Sequence, residues 1–567
     1  MSQTWLFQVT IFLFVLTAIA VPFGEYMAKV FASERTFLSP ILIPVENFLY
    51  RAFGVDPHED MDWKTFAVNL LLFNLVGLVV LFLLQEAQGF LPLNPEKLKA
   101  VRWDTAINAA ISFVTNADWQ SYKSEATMSY LTQMLGLSLQ NFLSAATGMA
   151  VAIAFINAFI RKNSIGIGNF WVYLTRSLLY ILLPLAIILS LVLVAQGCID
   201  NFHPYVHAQT LEGKVQVIAQ GPVASQVAIK HLGTSGGGFF TANSAHPYEN
   251  PTPFTDYLEL LSMLIIAAAF PFAFGALVKN RAQGWAIFIA MMLLFVIGLG
   301  FAMWSESHGN PLLAKLGIRN GLNMEGKEMR LGTLASVVFA SAGTATSTGA
   351  MNASLDSLMP LTGLVLIFNM AIGGVIFGGV GSGFIGMLFY GILAMLLIGL
   401  MIGRTPEIYG KKLEPYEMII TVIALFLPCI FQLILSAIAA ATNVGVAGLG
   451  NPAPHGLSEI IYTYASSVGN NGSAFMGLNS NVPFYNLTTG FAMLFGRCII
   501  IISALALAGS LVQKKINPPI SRFPTTGLLF VFILVTVVLI NGILTFFPVL
   551  ALGPILEHVS ILAGQTF

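Results

Sequence analysis

Four short polar stretches hold the residues best able to do chemistry in this chain. They are Thr115-Asn116-Ala117-Asp118, Gly233-Thr234-Ser235-Gly236-Gly237-Gly238, Ser347-Thr348-Gly349-Ala350 and Gly469-Asn470-Asn471-Gly472. Their starts are 118, 114 and 122 residues apart, and a near-constant spacing signals internal repetition. Small residues let chains approach an axis closely and aim backbone carbonyls at it. Four such strands around one axis make a ring of oxygens able to replace the water shell of a monovalent cation, with no fixed carboxylate at each site. One patch alone reads equally well as an external turn, which Gly and Asn favour. Repetition between apolar segments argues for the ring.

The elements that must position these patches are membrane helices. Of 567 residues, 56% are hydrophobic and only 9% charged, with a mean hydropathy of +0.80. Soluble chains carry about 25% charged residues, so this one lacks the ions to coat a surface in water. Lys plus Arg equal Asp plus Glu at 26 each, which excludes a nucleic-acid binder working through a basic face. Apolar runs long enough to span fall near 6–27, 66–85, 127–158, 170–195, 255–278, 285–304, 360–402, 416–441, 489–512 and 526–549. The stretch 360–402 is too long for one straight crossing and holds Gly378-Gly379-Val380-Gly381-Ser382-Gly383, so it reads as a helix broken inside the membrane. The fold class is therefore an all-α polytopic membrane protein of about ten spans. Each of four pseudo-repeats reads as span, re-entrant pore helix, filter loop and span, with one extra helix at each end. The expected boundaries are 1–62, 63–163, 164–281, 282–413, 414–516 and 517–567.

Positive residues favour the cytoplasmic side. The first span has no Lys or Arg before it, while Lys29, Arg35 and Arg51 follow. The N-terminus is thus expected outside, without cleavage of a leader. The connections with Arg161-Lys162, Lys279 and Arg281, Arg404 with Lys411 and Lys412, and Lys514 with Lys515 and Arg522 then fall inside. The four polar patches and the C-terminus fall outside. Cys198, Cys429 and Cys498 lie far apart, with no metal-ligand spacing, and read as buried apolar residues.

Read in order, the patches resemble the potassium-binding and potassium-translocating component of the Kdp-type bacterial potassium-transporting ATPase, over essentially the whole chain. Gly233 through Phe240, Ala242-Asn243-Ser244-Ala245-His246-Pro247 and Glu249-Asn250-Pro251-Thr252 are the most specific part. Gly469-Asn470-Asn471-Gly472-Ser473-Ala474-Phe475 and Trp119-Gln120-Ser121-Tyr122 add to it. The resemblance implies a member of a superfamily of four-repeat potassium transporters related to tetrameric channels. It implies K⁺ as the transported ion, no ATP site on this chain, and a complex in the inner membrane with a P-type ATPase catalytic partner and small accessory subunits. It also implies filter roles for Asn116 and Ala117, Thr234 and Ser235, Thr348 and Gly349, and Asn470 and Asn471, with room for the backbone from Gly236 and Gly472. Asp118 and Gln120 would sit near the filter. Gly378, Gly379, Gly381, Gly383 and Arg404 would gate or divert the ion path. Asp118 departs from a commonly neutral Asn, and Thr348 from a Cys of some members. An independent Trk- or Ktr-like potassium/sodium transporter of the same superfamily is the alternative within transport.

Rival motifs lack their structural context. Gly233-Thr234-Ser235-Gly236-Gly237 fits G-x-S-x-G, and His231 and His246 are near, so an intramembrane serine hydrolase is a distant alternative. Gly381-Ser382-Gly383-Phe384-Ile385-Gly386 fits the dinucleotide pattern but lies in a membrane run rather than after a strand. No phosphate-binding loop is present. His203 and His207 flank a proline in a loop, which suits solvent better than zinc. His246 is expected to buttress the second patch. Intramembrane ions default to function, which singles out Asp356 after the third patch and Arg404 after the broken helix. Arg404 reads either as snorkelling to the interface or as a fixed charge against leak.

Overall fold

The computed structural model describes residues 3–315, 317, 322–516 and 523–565; Arg522 lies outside them. Among the described residues, ten helices are long and apolar enough to span: Trp5–Phe31, Trp63–Ala87, Thr132–Ile160, Phe170–Ala195, Pro253–Leu277, Arg281–Leu313, Ser382–Ile402, Pro415–Ala441, Pro483–Gln513 and Leu528–Leu562. Ranges expected from hydropathy alone run short at several ends. Helical hydrogen bonding continues there into polar residues that hydropathy does not score, as at Glu306 and Ser307.

Burial sorts these helices into an inner and an outer set. In Thr132–Ile160 and Pro253–Leu277, 83% of the most apolar stretch is buried, against 17% in Trp5–Phe31 and Trp63–Ala87. Helices that are apolar all round and buried belong to the core of the bundle; apolar faces left exposed, such as Phe14, Leu72 and Val76, suit lipid.

The stretch 360–402 is broken as expected. Pro360–Ala371 and Ser382–Ile402 are joined by the non-helical residues 372–381. Here Gly373, Gly374, Phe377, Gly378 and Gly381 all have positive φ. Gly378 is needed for close approach, since a Cβ there would lie 2.0 Å from Gly374 O and 2.3 Å from Gly383 Cα. Each polar patch follows a helix too short to span: Trp103–Val114, Val223–Leu232, Thr333–Ala345 and Ala453–Val468.

Two features go beyond the sequence reading. The connection after the first span contains a helix, Ser39–Phe53, whose Glu46 meets Arg176 at 2.9 Å and Tyr180 at 2.8 Å. His203 lies in a loop, but His207 stands in the first strand of a hairpin, Val206–Gln209 paired antiparallel with Val215–Ile218. At the face opposite the patches, the buried Lys411 ammonium donates to Ala158 O (2.5 Å), Arg161 O (2.5 Å) and Leu511 O (2.7 Å). It thereby ties the carbonyl-rich C-terminal ends of two inner spans, which favour a cation.

Candidate ion-binding site

The four short helices end alike. The amides of Thr115, Gly233, Thr346 and Gly469 each donate four residues back, to Ile111, Ile229, Ala342 and Ala465. The next residue then turns left-handed in every case: Asn116 (φ 62), Thr234 (φ 46), Ser347 (φ 51) and Asn470 (φ 50). One residue on, the amides of Ala117, Ser235, Thr348 and Asn471 donate five residues back, to Ser112, Lys230, Gly343 and Ser466, at 2.7–3.0 Å. Four identical chain reversals follow four helix C-termini, whose partial negative charge favours a cation.

This geometry fixes the register. The structural counterparts of Asn116 and Ala117 are Thr234 and Ser235, Ser347 and Thr348, and Asn470 and Asn471. Ser347, absent from the filter residues carried over by position, thus occupies the first place of the third loop. The left-handed turn, rather than the first polar residue, is the mark that aligns the loops. Gly236, Gly349 and Gly472 share one position, and Asp118 stands there in the first loop.

The loops are pressed together. A Cβ on Gly236 would lie 2.5 Å from Gly349 Cα, and one on Gly472 only 1.8 Å from Ala117 O. Gly349 N–H donates to Ser235 O across the site (3.0 Å). The Asn116 amide donates to Gly233 O and Thr234 O (3.3 and 3.1 Å), and the Asn471 amide to Gly343 O and Thr348 O (3.0 and 3.4 Å). These two side chains stitch neighbouring loops together. Gln120 pairs with both backbone groups of Gly238, accepting at 3.0 Å and donating at 3.3 Å. Asp118 is fully buried; its carboxylate accepts from Gly236 N–H (3.3 Å) and, with the Asn141 amide oriented to satisfy its neighbours, from Asn141 (2.7 Å).

A cavity lies on each side of the ring. The one of about 100 Å³ is lined by Asp118, Gln120, Gly237, Gly349, Gly472 and Met476. The one of about 60 Å³ is lined by Asn116, Ser347, Asn470, Gly379, Gln432 and Arg497. Under the second and third loops the broken-helix linker closes in: Val380 N–H donates to Thr234 Oγ1 (2.7 Å) and Gly378 N–H to Ala345 O (2.8 Å). Gly379 lines the inner cavity and Gly378 meets the end of the third short helix, whereas Gly381 packs against Gly148 and Gly383 against Phe377 and Gly378. Arg404 stands apart from the site. It is exposed beyond the far end of a 21-residue helix, about 30 Å away at 1.5 Å per residue.

The buried charge beside the inner cavity is Arg497, which the sequence reading passed over. Its Nη2 donates to Ser144 O (3.0 Å), and its Nε has no hydrogen-bond partner among the described residues. The signal was available: an arginine in the apolar run 489–512 is a functional candidate by default.

Among the described residues, no hydrolase triad is assembled around Ser235. Ser235 Oγ donates to Asn116 Oδ1 (3.3 Å), His231 Nδ1 lies 2.8 Å from Val227 O, and His246 stacks on Phe240 at 3.7 Å. His203 and His207 belong to no metal-ligand cluster among the described residues.

The sequence profile described as "Potassium-transporting ATPase A subunit" matches residues 10–559. The chain belongs to that family. It is 51% identical over 561 residues to the potassium-transporting ATPase potassium-binding subunit of Brucella anthropi, covering 99% of both chains. The same-named subunit of Pseudomonas aeruginosa is 50% identical over 551 residues, covering 97% of this chain and 98% of that relative. In fold, the chain is similar to the crystal structure of the potassium transporter TrkH from Vibrio parahaemolyticus. The TM-score is 0.50 at 14% identity, over 87% of this chain and 98% of the other. That likeness is one of architecture.

Proposed function

We propose that this subunit binds K⁺ at the ring formed by residues 116–118, 234–236, 347–349 and 470–472 and passes it inward within an ATP-driven uptake complex. ATP hydrolysis falls to a P-type ATPase partner, with small accessory subunits completing the assembly. The observation that carries this reading is the fourfold repetition of one backbone device: a helix C-terminus, a left-handed residue and an ascending strand of small residues. Carbonyls so aimed select a dehydrated monovalent cation without a carboxylate at each site.

The orientation follows from charge. Connections rich in Lys and Arg lie at the Lys411 face, and their inward preference puts the filter face and both termini outside a bacterial inner membrane. The four units 63–163, 164–281, 282–413 and 414–516 then correspond to the four loops. Arg497 sits where an ion leaving the ring would arrive, and its fixed positive charge opposes leak. Arg404 belongs to the inner mouth of the third unit. The Trk-like alternative shares the architecture, but the family of this chain works with an ATPase.

The test is K⁺-stimulated ATP hydrolysis by the purified complex. Stimulation by K⁺ well above that by Na⁺, weakened by Gly236→Asp and little changed by Ser235→Ala, supports the filter. Hydrolysis indifferent to K⁺, or a separate hydrolytic activity abolished by Ser235→Ala alone, refutes it.

A further inference from the structure

Behind the second filter loop lies a buried ion pair that the filter itself does not use. Lys230 is on the second pore helix and Glu249 follows the filter strand; both side chains are 0% exposed and 2.5 Å apart. Lys230 Nζ also donates to Asn243 Oδ1 (2.6 Å), and Asn243 donates in turn to Gly237 O (2.9 Å). The other Glu249 oxygen accepts from Phe240 N–H (2.9 Å). A Cβ placed on Gly238 would lie 2.8 Å from Glu249 Oε1 and 3.1 Å from Lys230 Nζ. Two opposite charges therefore press against the strand that follows Ser235 and Gly236.

The other three loops have no charge in that place. The position is the one whose carbonyl accepts from the second filter residue, and its occupants are Ser112, Gly343 and Ser466. Ser112 Oγ donates to Trp119 O (3.0 Å), and Ser466 Oγ accepts from Gly472 N–H (3.0 Å). Hydroxyls suffice to hold those strands, so holding alone does not call for an ammonium. An ammonium this close to a cation site repels the cation unless it is neutralised, and low-dielectric surroundings strengthen the effect.

We infer that the Lys230–Glu249 pair is a positioning device that sets the charge balance behind the second filter strand, making both residues determinants of K⁺ affinity and cation choice. The inference rests on the reading of this chain as the K⁺ entry. Glu249 cancels the repulsion of Lys230; Lys230 keeps Glu249 from acting as a fixed anionic site that would hold any small cation. Removing either partner moves affinity in opposite directions, whereas a purely structural brace loses function the same way from either side.

The experiment measures KM and kcat of K⁺-stimulated ATP hydrolysis in the intact complex, with Na⁺ as competitor. Glu249→Gln is expected to raise the KM for K⁺ about tenfold with kcat within about twofold. Lys230→Met is expected to lower that KM while Na⁺ begins to stimulate. Should either variant fail to assemble, Glu249→Asp draws the carboxylate back from the ammonium and is expected to raise KM about threefold at constant kcat. KM rising alike in Glu249→Gln and Lys230→Met, kcat falling with KM fixed, or an unmoved KM in Glu249→Asp overturns the inference. An unmodified complex indifferent to K⁺ overturns the underlying reading instead.

Discussion

The second and third filter loops share one backbone path and are held by opposite means. The second is gripped from the filter face by charge: Lys230, Glu249 and Asn243 fix Gly237 and Phe240. In the third, the position of Lys230 is Gly343, and support comes from the opposite side. The linker 372–381 reaches up there, with Gly378 N–H on Ala345 O. A buried ion pair has one good geometry, because either charge left alone is costly. A glycine-rich linker held to the loops by single backbone hydrogen bonds is less constrained. The contrast divides the ring into a fixed wall and an adjustable one. Val380, bonded to Thr234, is where the adjustable linker touches the fixed wall.

The largest effect should come from damaging both walls at once. Gly236→Asp drives its side chain into Gly349 and adds a charge, and should raise the KM for K⁺-stimulated hydrolysis by about 100-fold, ~2.7 kcal/mol. A shift under threefold would mean the two strands do not meet at the ion. Next is the floor below both walls. Arg497→Gln removes the fixed charge and should raise the rate of ATP-independent Rb⁺ leak in proteoliposomes by about tenfold with KM changing much less. An unchanged rate would remove Arg497 from the path.

Gly383→Ala tests the adjustable wall alone. The added methyl meets Phe377 O at 2.0 Å and must displace the linker. Ions moved per ATP should fall by about threefold while KM stays near that of the parent, because the binding wall is untouched. A KM shift as large as that of Gly236→Asp would erase the distinction between the walls. Asp118→Asn should do least at the ring. Asparagine keeps an acceptor for Gly236 N–H but loses the one for the Asn141 amide, a cost of ~1 kcal/mol, and KM should move by less than about fivefold. A larger shift would make the Asp118 charge a direct ligand of the ion.

The smallest effect concerns stability. His455, at the start of the fourth pore helix, lies 2.9 Å from Asp356 and 2.8 Å from Glu557. Burial disfavours its charged form, but the hydrogen bonds to both carboxylates outweigh it and raise the pKa to about 10. Because the folded value lies above the ordinary one near 6.5, the contribution is complete below that value and is lost as pH rises through about 10. The thermal midpoint of the complex should therefore fall on that alkaline limb, and fall less steeply in His455→Gln. Equal slopes would show that the triad contributes nothing.

Much of this was legible in the sequence, for physical reasons. Spans announce themselves because lipid demands long apolar runs. The break after Ala371 was visible because glycines crowd 373–383. The four polar loops were legible by repetition, but not their register: Thr346 and Ser347 differ from Gly233 and Thr234 in type and match them only in backbone turn. The role of Arg497 was hidden by span assignment, which treats a charge inside an apolar run as noise. Arg404 drew attention as a charge after the broken helix, though that helix carries it to the far face. The Lys230–Glu249 pair was out of reach, because Phe239 through Tyr248 must fold back before the two charges meet.

The central claim is that four equivalent loops bind one cation on a shared axis. The most direct measurement is the position of a heavy K⁺ analogue, Tl⁺ or Rb⁺, in the assembled complex. Analogue density is expected between the two cavities, ringed by carbonyls of residues 116–118, 234–236, 347–349 and 470–472, and displaced by excess K⁺ but not Na⁺. Density absent from that axis, or held by side-chain carboxylates elsewhere, would contradict it.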